Sequence, residues 1–388
     1  MNLFVIIITF NENSSKLKAM NQSRLLYIDN LRIFLISLVV LLHLNITYGA
    51  PGDWYYNESD AEFPAVLFMA MFNATNQSFF MGMFFMISAF FIIPSLERKG
   101  TRKFITDRLI RLGIPLLVFY FLLNLLTVFI RNWFIRGEEP TFGDYLVNGW
   151  ARGFGPLWFV EALLIFTFIF LLFRKAGTSI RIGFPGTYTI VLFALTISIM
   201  QFIIRIWLPV GWSMPFTNFQ FPFFVQYVFL FLLGIVAWQN KWFDSITFKT
   251  GKQWFIAAQI LIFIGFPMLT ILGGVTETGT DNFMGGLKWQ SLGYAVWEQL
   301  TGISLIIGLI GLGKKYLNRQ GTLAKLLSDS AYGVFVFHAP LIVAMSAIFA
   351  GWAIFPPLKF IVLVPVALFS CFLVAGLLKK IPGVNKVL

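Results

Sequence analysis

Ten stretches of this chain are long and apolar enough to cross a bilayer, and they limit its fold before any single residue is considered. They lie near 31–49, 76–96, 110–130, 155–173, 188–209, 220–238, 254–272, 290–311, 330–350 and 357–378. A hydrocarbon core needs about 20 residues of helix to span it. Within lipid, only helices or closed barrels satisfy the backbone's own donors and acceptors. Barrel strands alternate apolar and polar residues, and these runs do not. The expected fold class is therefore an all-α integral membrane protein with about ten transmembrane helices. Composition agrees: 58% of residues are hydrophobic and 12% charged, whereas soluble domains are about a quarter charged.

The net charge of +12 would suggest nucleic acid in a soluble protein. Here the basic residues cluster between apolar runs, so they report topology and no nucleic-acid partner is expected. With the N-terminus inside, 23 of the 29 Lys and Arg residues fall on the inner side. The six others are Arg131, Arg136, Arg152, Arg205, Lys288 and Lys359. That bias places both termini in the cytoplasm. The expected organisation is a preface at 1–23, one membrane domain at 24–380 and a cytoplasmic tail at 381–388. The apolar part of the preface, MNLFVIIITF, is too short to span and lacks the flanks of a signal peptide. Met20 is a second candidate start. The outer loop 50–75, rich in aromatics and carboxylates, is expected to be an ordered piece lining a substrate entrance.

A charged group inside a span is costly, by about 2.5–3.5 kcal/mol on insertion scales, and usually marks function. Six ionisable residues stand out on this ground: Arg32, His43, Glu161, Arg205, Glu298 and His338. Arg32 and His43 are eleven residues apart, which on a helix brings them within about 20° of one face and separates them by about 16 Å. Arg32 then lies at the cytoplasmic end and His43 in the outer half. Each alone has an ordinary reading, Arg32 as a snorkelling basic residue and His43 as a structural hydrogen-bonding group. Glu161 and Glu298 enter from the outside to a depth close to that of His43, Glu161 at about 9 Å. A carboxylate bonded to the imidazole would orient it and raise its basicity. The alternative is that either Glu pairs with Arg205. Arg108 and Arg111, three apart on the inner side, share a face and suit a polyphosphate, though from the residues alone topology with lipid phosphate binding is the first reading.

A single cysteine, Cys371, excludes an internal disulfide and a cysteine-based metal site. Two histidines are too few for a typical zinc site, so no metal is expected. Ser-nucleophile, Walker and dinucleotide motifs are absent from the sequence, and Ser88 reads as a helix-packing residue.

These residues resemble the membrane acyltransferase 3 family. The resemblance rests on Arg32 and His43 in LLYIDNLRIFLISLVVLLH and on FFMGMFFMISAFFI, where Ala89 stands in place of the family's glycine. It extends to Arg108-x-x-Arg111 with Pro115, to Gly155-Pro156-Leu157-Trp158-Phe159, to FPFFVQYVFLFLLGIVAW, and to LSDSAYGVFVFHAPLIV with Tyr332 and His338. Together these cover about 24–345, and the details are most similar to a glucan-modifying branch. The resemblance implies a multi-pass enzyme of the plasma (inner) membrane that O-acylates a cell-envelope glycan. The donor would be a cytoplasmic acyl-coenzyme A, with acetyl or succinyl as the group moved. His43 would be catalytic, with Glu161 and Glu298 beside it. Arg32, Arg108 and Arg111 would hold the donor, with membrane lipid around them. The rival reading from the residues is a proton-coupled transporter or glycan flippase, and a third is a membrane scaffold or sensor.

Overall fold

The computed structural model describes residues 24–139, 141–145, 147, 153–174 and 181–388. The preface 1–23 with Met20 lies outside the described residues, as do Arg152 and Lys175. The described residues form helices and connecting turns, with no strand among them. Ten helices are long and apolar enough to span: α1 Leu26–Thr47, α2 Ala65–Lys99, α3 Thr101–Ile135, α4 Gly155–Phe173, α5 Thr187–Arg205, α6 Phe221–Gln239, α7 Phe248–Leu272, α8 Trp289–Tyr316, α9 Thr322–Phe349 and α10 Pro356–Leu378. They correspond one for one to the ten apolar runs.

Two helices are longer than hydropathy suggests. α2 begins at Ala65, so the last part of the expected loop 50–75 is helix. Asn73 falls in that expected loop and Asn76, Gln77 and Ser78 open the expected run at 76–96, yet Asn73, Asn76 and Ser78 are all buried. Asn73 turns its polarity towards other protein groups, not water. Asn45 of α1 donates to Asn73 Oδ1 at 2.8 Å and to the Met69 carbonyl at 3.0 Å, the kind of interhelical bond that lipid tolerates. α3 extends at both ends beyond 110–130 and contains three wide, π-type turns, at Leu109–Gly113, Phe119–Leu123 and Arg131–Ile135. Pro115 follows the first of these. With no N–H, it cannot donate to the carbonyl of Arg111, four residues back. Tyr332 of α9 supplies the missing donor, its hydroxyl lying 2.7 Å from the Arg111 oxygen.

α2 and α8 are the inner helices, with 72% and 78% of their spanning windows buried, against 22% for α7 and α10. α8 packs against α7, α5, α2 and α1, and α2 against α6. Gly251 of α7 faces Gly311 of α8 so closely that a Cβ on Gly251 would lie 2.6 Å from the Gly311 Cα. Such small-residue contacts let backbones touch where the hydrophobic effect gives no drive. Ala89 of α2 makes the same kind of contact: it faces Gly234 of α6.

α1 and α9 run side by side in the same direction. At their starts Asn30 donates to the carbonyls of Leu317 and Arg319, at 2.6 and 2.8 Å. Arg24 reaches Asp329 at 3.6 Å. Near its far end α1 presents His43 to α9.

The connection 48–64 folds back onto that far end. Glu58 N–H donates to Thr47 O at 2.8 Å, and Ala61 N–H to Gly49 O at 3.2 Å. Glu58 is ion-paired with Lys359 of α10, and Tyr55 donates to Asn124 of α3 at 2.8 Å. Trp54 and Tyr55 are buried. The expectation of an ordered piece in this region thus holds for 48–64.

Candidate functional site

The two histidines of the chain meet. His43 of α1 and His338 of α9 have ring centroids 5.0 Å apart with planes 27° from parallel. Trp54 stacks on His43 at 3.8 Å and 24°, and lies 5.9 Å from His338 at 14°. Three nearly parallel rings, from two spans and the folded-back connection, therefore form one cluster. Tyr55 closes it with an edge-on contact to Trp54 at 5.1 Å. In His338, Nδ1 lies 2.7 Å from the Phe335 carbonyl. A carbonyl only accepts, so the proton is on Nδ1 and the Nε2 lone pair is free. Nε2 is buried and has no hydrogen-bond partner among the described residues, and the same holds for His43 Nδ1.

The carboxylates expected beside His43 do not bond its Nδ1. Glu298 of α8 instead pairs with Arg205 of α5 at 2.6 Å, both fully buried, so the sequence alternative of an Arg205 partner is the observed one. Gln201 donates to the same Glu298 oxygen at 2.7 Å. The network continues through Gln299, which donates to Gln201 at 2.7 Å. Gln226 in turn donates to Gln299 at 3.0 Å and to the Ser78 carbonyl at 2.6 Å. It ties α5, α8, α6 and α2 together. Phe223 and Tyr294 face the Arg205 guanidinium at 5.0 and 5.4 Å. Glu161, on the first turn of α4, has a buried Oε2 with no hydrogen-bond partner among the described residues. Phe159, two residues earlier, contacts Phe335 at 5.7 Å, and Phe335 contacts His338 at 5.9 Å. This places the start of α4 next to the ring cluster.

At the start of α1 a second group gathers. Arg32 Nη1 lies 3.3 Å from Asp29, which also accepts from Arg24 at 2.5 Å. The Arg32 guanidinium lies 5.1 Å over Phe91, a cation–π contact. Arg108 lies 5.1 Å over Phe104, and the charges of Arg32 and Arg111 both act on it. Tyr332 interacts with Arg108 and Arg111. The nearby Asp107 is taken by Lys99 at 2.5 Å. Three guanidiniums from α1 and α3 thus share a region with two carboxylates, Asp29 against Arg32 and Asp107, held by Lys99, near Arg111. That is an anion-attracting arrangement. Arg32 and His43 join the two groups through one helix.

The sequence pointed to His43, Glu161, Glu298 and the three arginines. It singled out His338 as an ionisable residue in a span but not as the neighbour of His43, and it missed Trp54. No group of three or more potential metal ligands occurs among the described residues.

Guanidiniums at the start of α1 and an imidazole cluster near its end thus lie in one bundle of ten potential spans, and the comparisons say which class of protein carries them. Residues 25–376 match the acyltransferase 3 family, an acyltransferase domain, so the chain belongs to that family and is a multi-pass membrane acyltransferase. Among individual proteins, it is similar to the glucans biosynthesis protein C of Escherichia coli K12 and of E. coli O9:H4 strain HS. Each is 23% identical over 332 residues, covering 81% of this chain and 81% of the relative. No solved structure matches.

Proposed function

We propose that this enzyme moves an acetyl or succinyl group from cytoplasmic acyl-coenzyme A to a hydroxyl of a cell-envelope glycan, in the plasma (inner) membrane. The observation that carries the reading is the pair of half-sites on α1: clustered guanidiniums at its start, and an imidazole with a buried, unpartnered nitrogen near its end. The basic-residue bias puts the arginine end and both termini in the cytoplasm. There Arg32, Arg108 and Arg111 attract the phosphates of the donor, and the thin pantetheine arm reaches along α1 towards His43. The relatives' name supports a glucan-related acceptor, and family membership favours acyl transfer over a carrier.

In this scheme His43 takes the proton of the acceptor hydroxyl. The oxygen attacks the thioester carbonyl, the C–S bond breaks, and the imidazolium returns the proton to the departing thiolate. Trp54 and His338 hold the His43 ring by stacking, in place of a carboxylate. Glu161, at the start of α4 and unpartnered at Oε2, is the carboxylate this scheme assigns to balance the charge that appears on His43. Glu298 contributes through the Arg205 network, by holding α8 against α2, α5 and α6.

The test uses purified full-length chain in nanodiscs, radiolabelled acetyl- or succinyl-coenzyme A, and glycans extracted from the cell envelope. Label moves to glycan with the wild type. Full transfer by His43→Ala would overturn the base assignment. Mass spectrometry of envelope glycans with and without the gene identifies the acyl group: a missing acyl mass is expected, and unchanged glycans would overturn the acceptor class.

A further inference from the structure

His338 is placed to do more than support the His43 ring. Its imidazole is fully buried in α9, and its tautomer is set by the 2.7 Å bond from Nδ1 to the Phe335 carbonyl. The bond turns an acceptor lone pair, on Nε2, away from its own helix with no partner among the described residues. The neighbouring ring, 5.0 Å away, also carries an unpartnered buried nitrogen, His43 Nδ1. Trp54 Nε1 is a third buried, unpartnered nitrogen in the stack, and a buried acceptor such as His338 Nε2 is unfavourable unless a donor from outside the protein reaches it. A sugar supplies such donors, since its hydroxyls stand on adjacent carbons. The chain has two histidines in all, and both are in this cluster.

We infer that His338 binds the acyl acceptor directly: its Nε2 accepts a hydrogen bond from a hydroxyl of the acceptor and holds the neighbouring hydroxyl against His43. The inference rests on the reading of His43 as the base and adds a second, acceptor-positioning imidazole to it. His338 itself neither gains nor loses a proton. One acceptor atom at the Nε2 position is what the role requires, so a side chain that restores such an atom restores function.

The experiment compares His338→Gln, whose amide oxygen can reach the Nε2 position, with His338→Leu, which fills the volume without an acceptor. Each replaces the chromosomal copy in the source cells, and the acyl mass on envelope glycans is read against the wild type at equal amounts of membrane-inserted protein. Acetyl-coenzyme A affinity of each purified variant reports an intact fold and donor site. If His338→Leu does not accumulate, His338→Phe takes its place. The expected result is a loss of at least about 100-fold for Leu (or Phe), recovery to within about 10-fold of wild type for Gln, and unchanged acetyl-coenzyme A affinity for both. Near-wild-type acylation by Leu, or equal loss in Leu and Gln, overturns the assignment, as does weakened donor affinity. Failure of the underlying reading looks different: His43→Ala then retains acylation, or deletion of the gene removes no acyl mass.

Discussion

The molecule contains two buried polar centres that solve the same problem in opposite ways. In the Arg205–Glu298 centre a cation and an anion, both shut off from solvent, are paired at 2.6 Å and extended by a line of glutamine amides. Of the pair, only Arg205 Nη1 lacks a hydrogen-bond partner among the described residues, and its guanidinium faces the Phe223 and Tyr294 rings. In the His43–Trp54–His338 centre the rings are stacked, but two imidazole nitrogens are left without partners. Burying a polar group without a hydrogen bond costs about 1–3 kcal/mol in proteins, so the second arrangement is kept against its own stability. Strain or dissatisfaction of that kind concentrates where a ligand is handled. The paired centre therefore reads as a joint between helices, and the unpaired one as the place of chemistry.

The largest effect that separates the two is on activity. Replacing a general base typically costs about 10²–10⁴-fold. His43→Ala should lower glycan acylation by that amount and leave thermal stability in detergent close to wild type, as measured by labelled transfer and by a melting curve on the same sample. A large stability loss with proportionate activity would make His43 a packing residue. The Arg205–Glu298 centre should respond the other way round. Glu298→Leu strands a buried guanidinium, and breaking a buried pair costs about 3–5 kcal/mol. The melting temperature and membrane yield should drop sharply, and Arg205→Met combined with Glu298→Leu should recover most of both. A stable Glu298→Leu protein without transfer activity would move Glu298 into the chemistry and dissolve the contrast.

The sequence made the ten spans legible because lipid imposes length and apolarity on every one of them. It set the start of α2 at 76 because the residues before it read as a loop rich in aromatics and carboxylates, and Asn73 in that loop looks water-facing until Asn45 of α1 is known to bond it. The spacing of Arg32 and His43 was readable because both lie on one helix, where geometry is local. The meeting of His43 with His338 was not, since it depends on how α1 and α9 are registered against each other. Trp54 lies in a connection whose path is set by Glu58–Lys359, Tyr55–Asn124 and backbone bonds. None of these contacts leaves a periodic trace. One missed contact did have a signal. Pro115 stands four residues after Arg111, so a carbonyl in α3 had to find a donor elsewhere, and Tyr332 is that donor.

A third prediction extends the contrast to the arginine end of α1. A hydrogen bond to a charged group contributes about 1.5–3 kcal/mol, so losing guanidiniums should weaken donor binding by at least about 10-fold. Arg108→Gln with Arg111→Gln should show this by calorimetry with acetyl-coenzyme A, and raised salt should weaken the wild type in the same direction. Unchanged affinity would return this pair to topology or lipid contact.

The smallest expected effect concerns Trp54. A stacked aromatic pair contributes about 0.5–1.5 kcal/mol beyond its buried area, which corresponds to about 2–12-fold in rate if the stack is what holds His43 in place. Trp54→Phe keeps a ring over the imidazole and should stay within about 3-fold of wild type on that scale. Trp54→Leu keeps apolar volume but removes the stack, and should lose close to the full amount, with unchanged acetyl-coenzyme A affinity. The measurement is steady-state transfer at saturating donor. If Leu and Phe are equally active, stacking is not what orients His43. A carboxylate would then be the better candidate for that task, and Glu161, unpartnered at Oε2 near the cluster, would be the residue to change next, as Glu161→Gln.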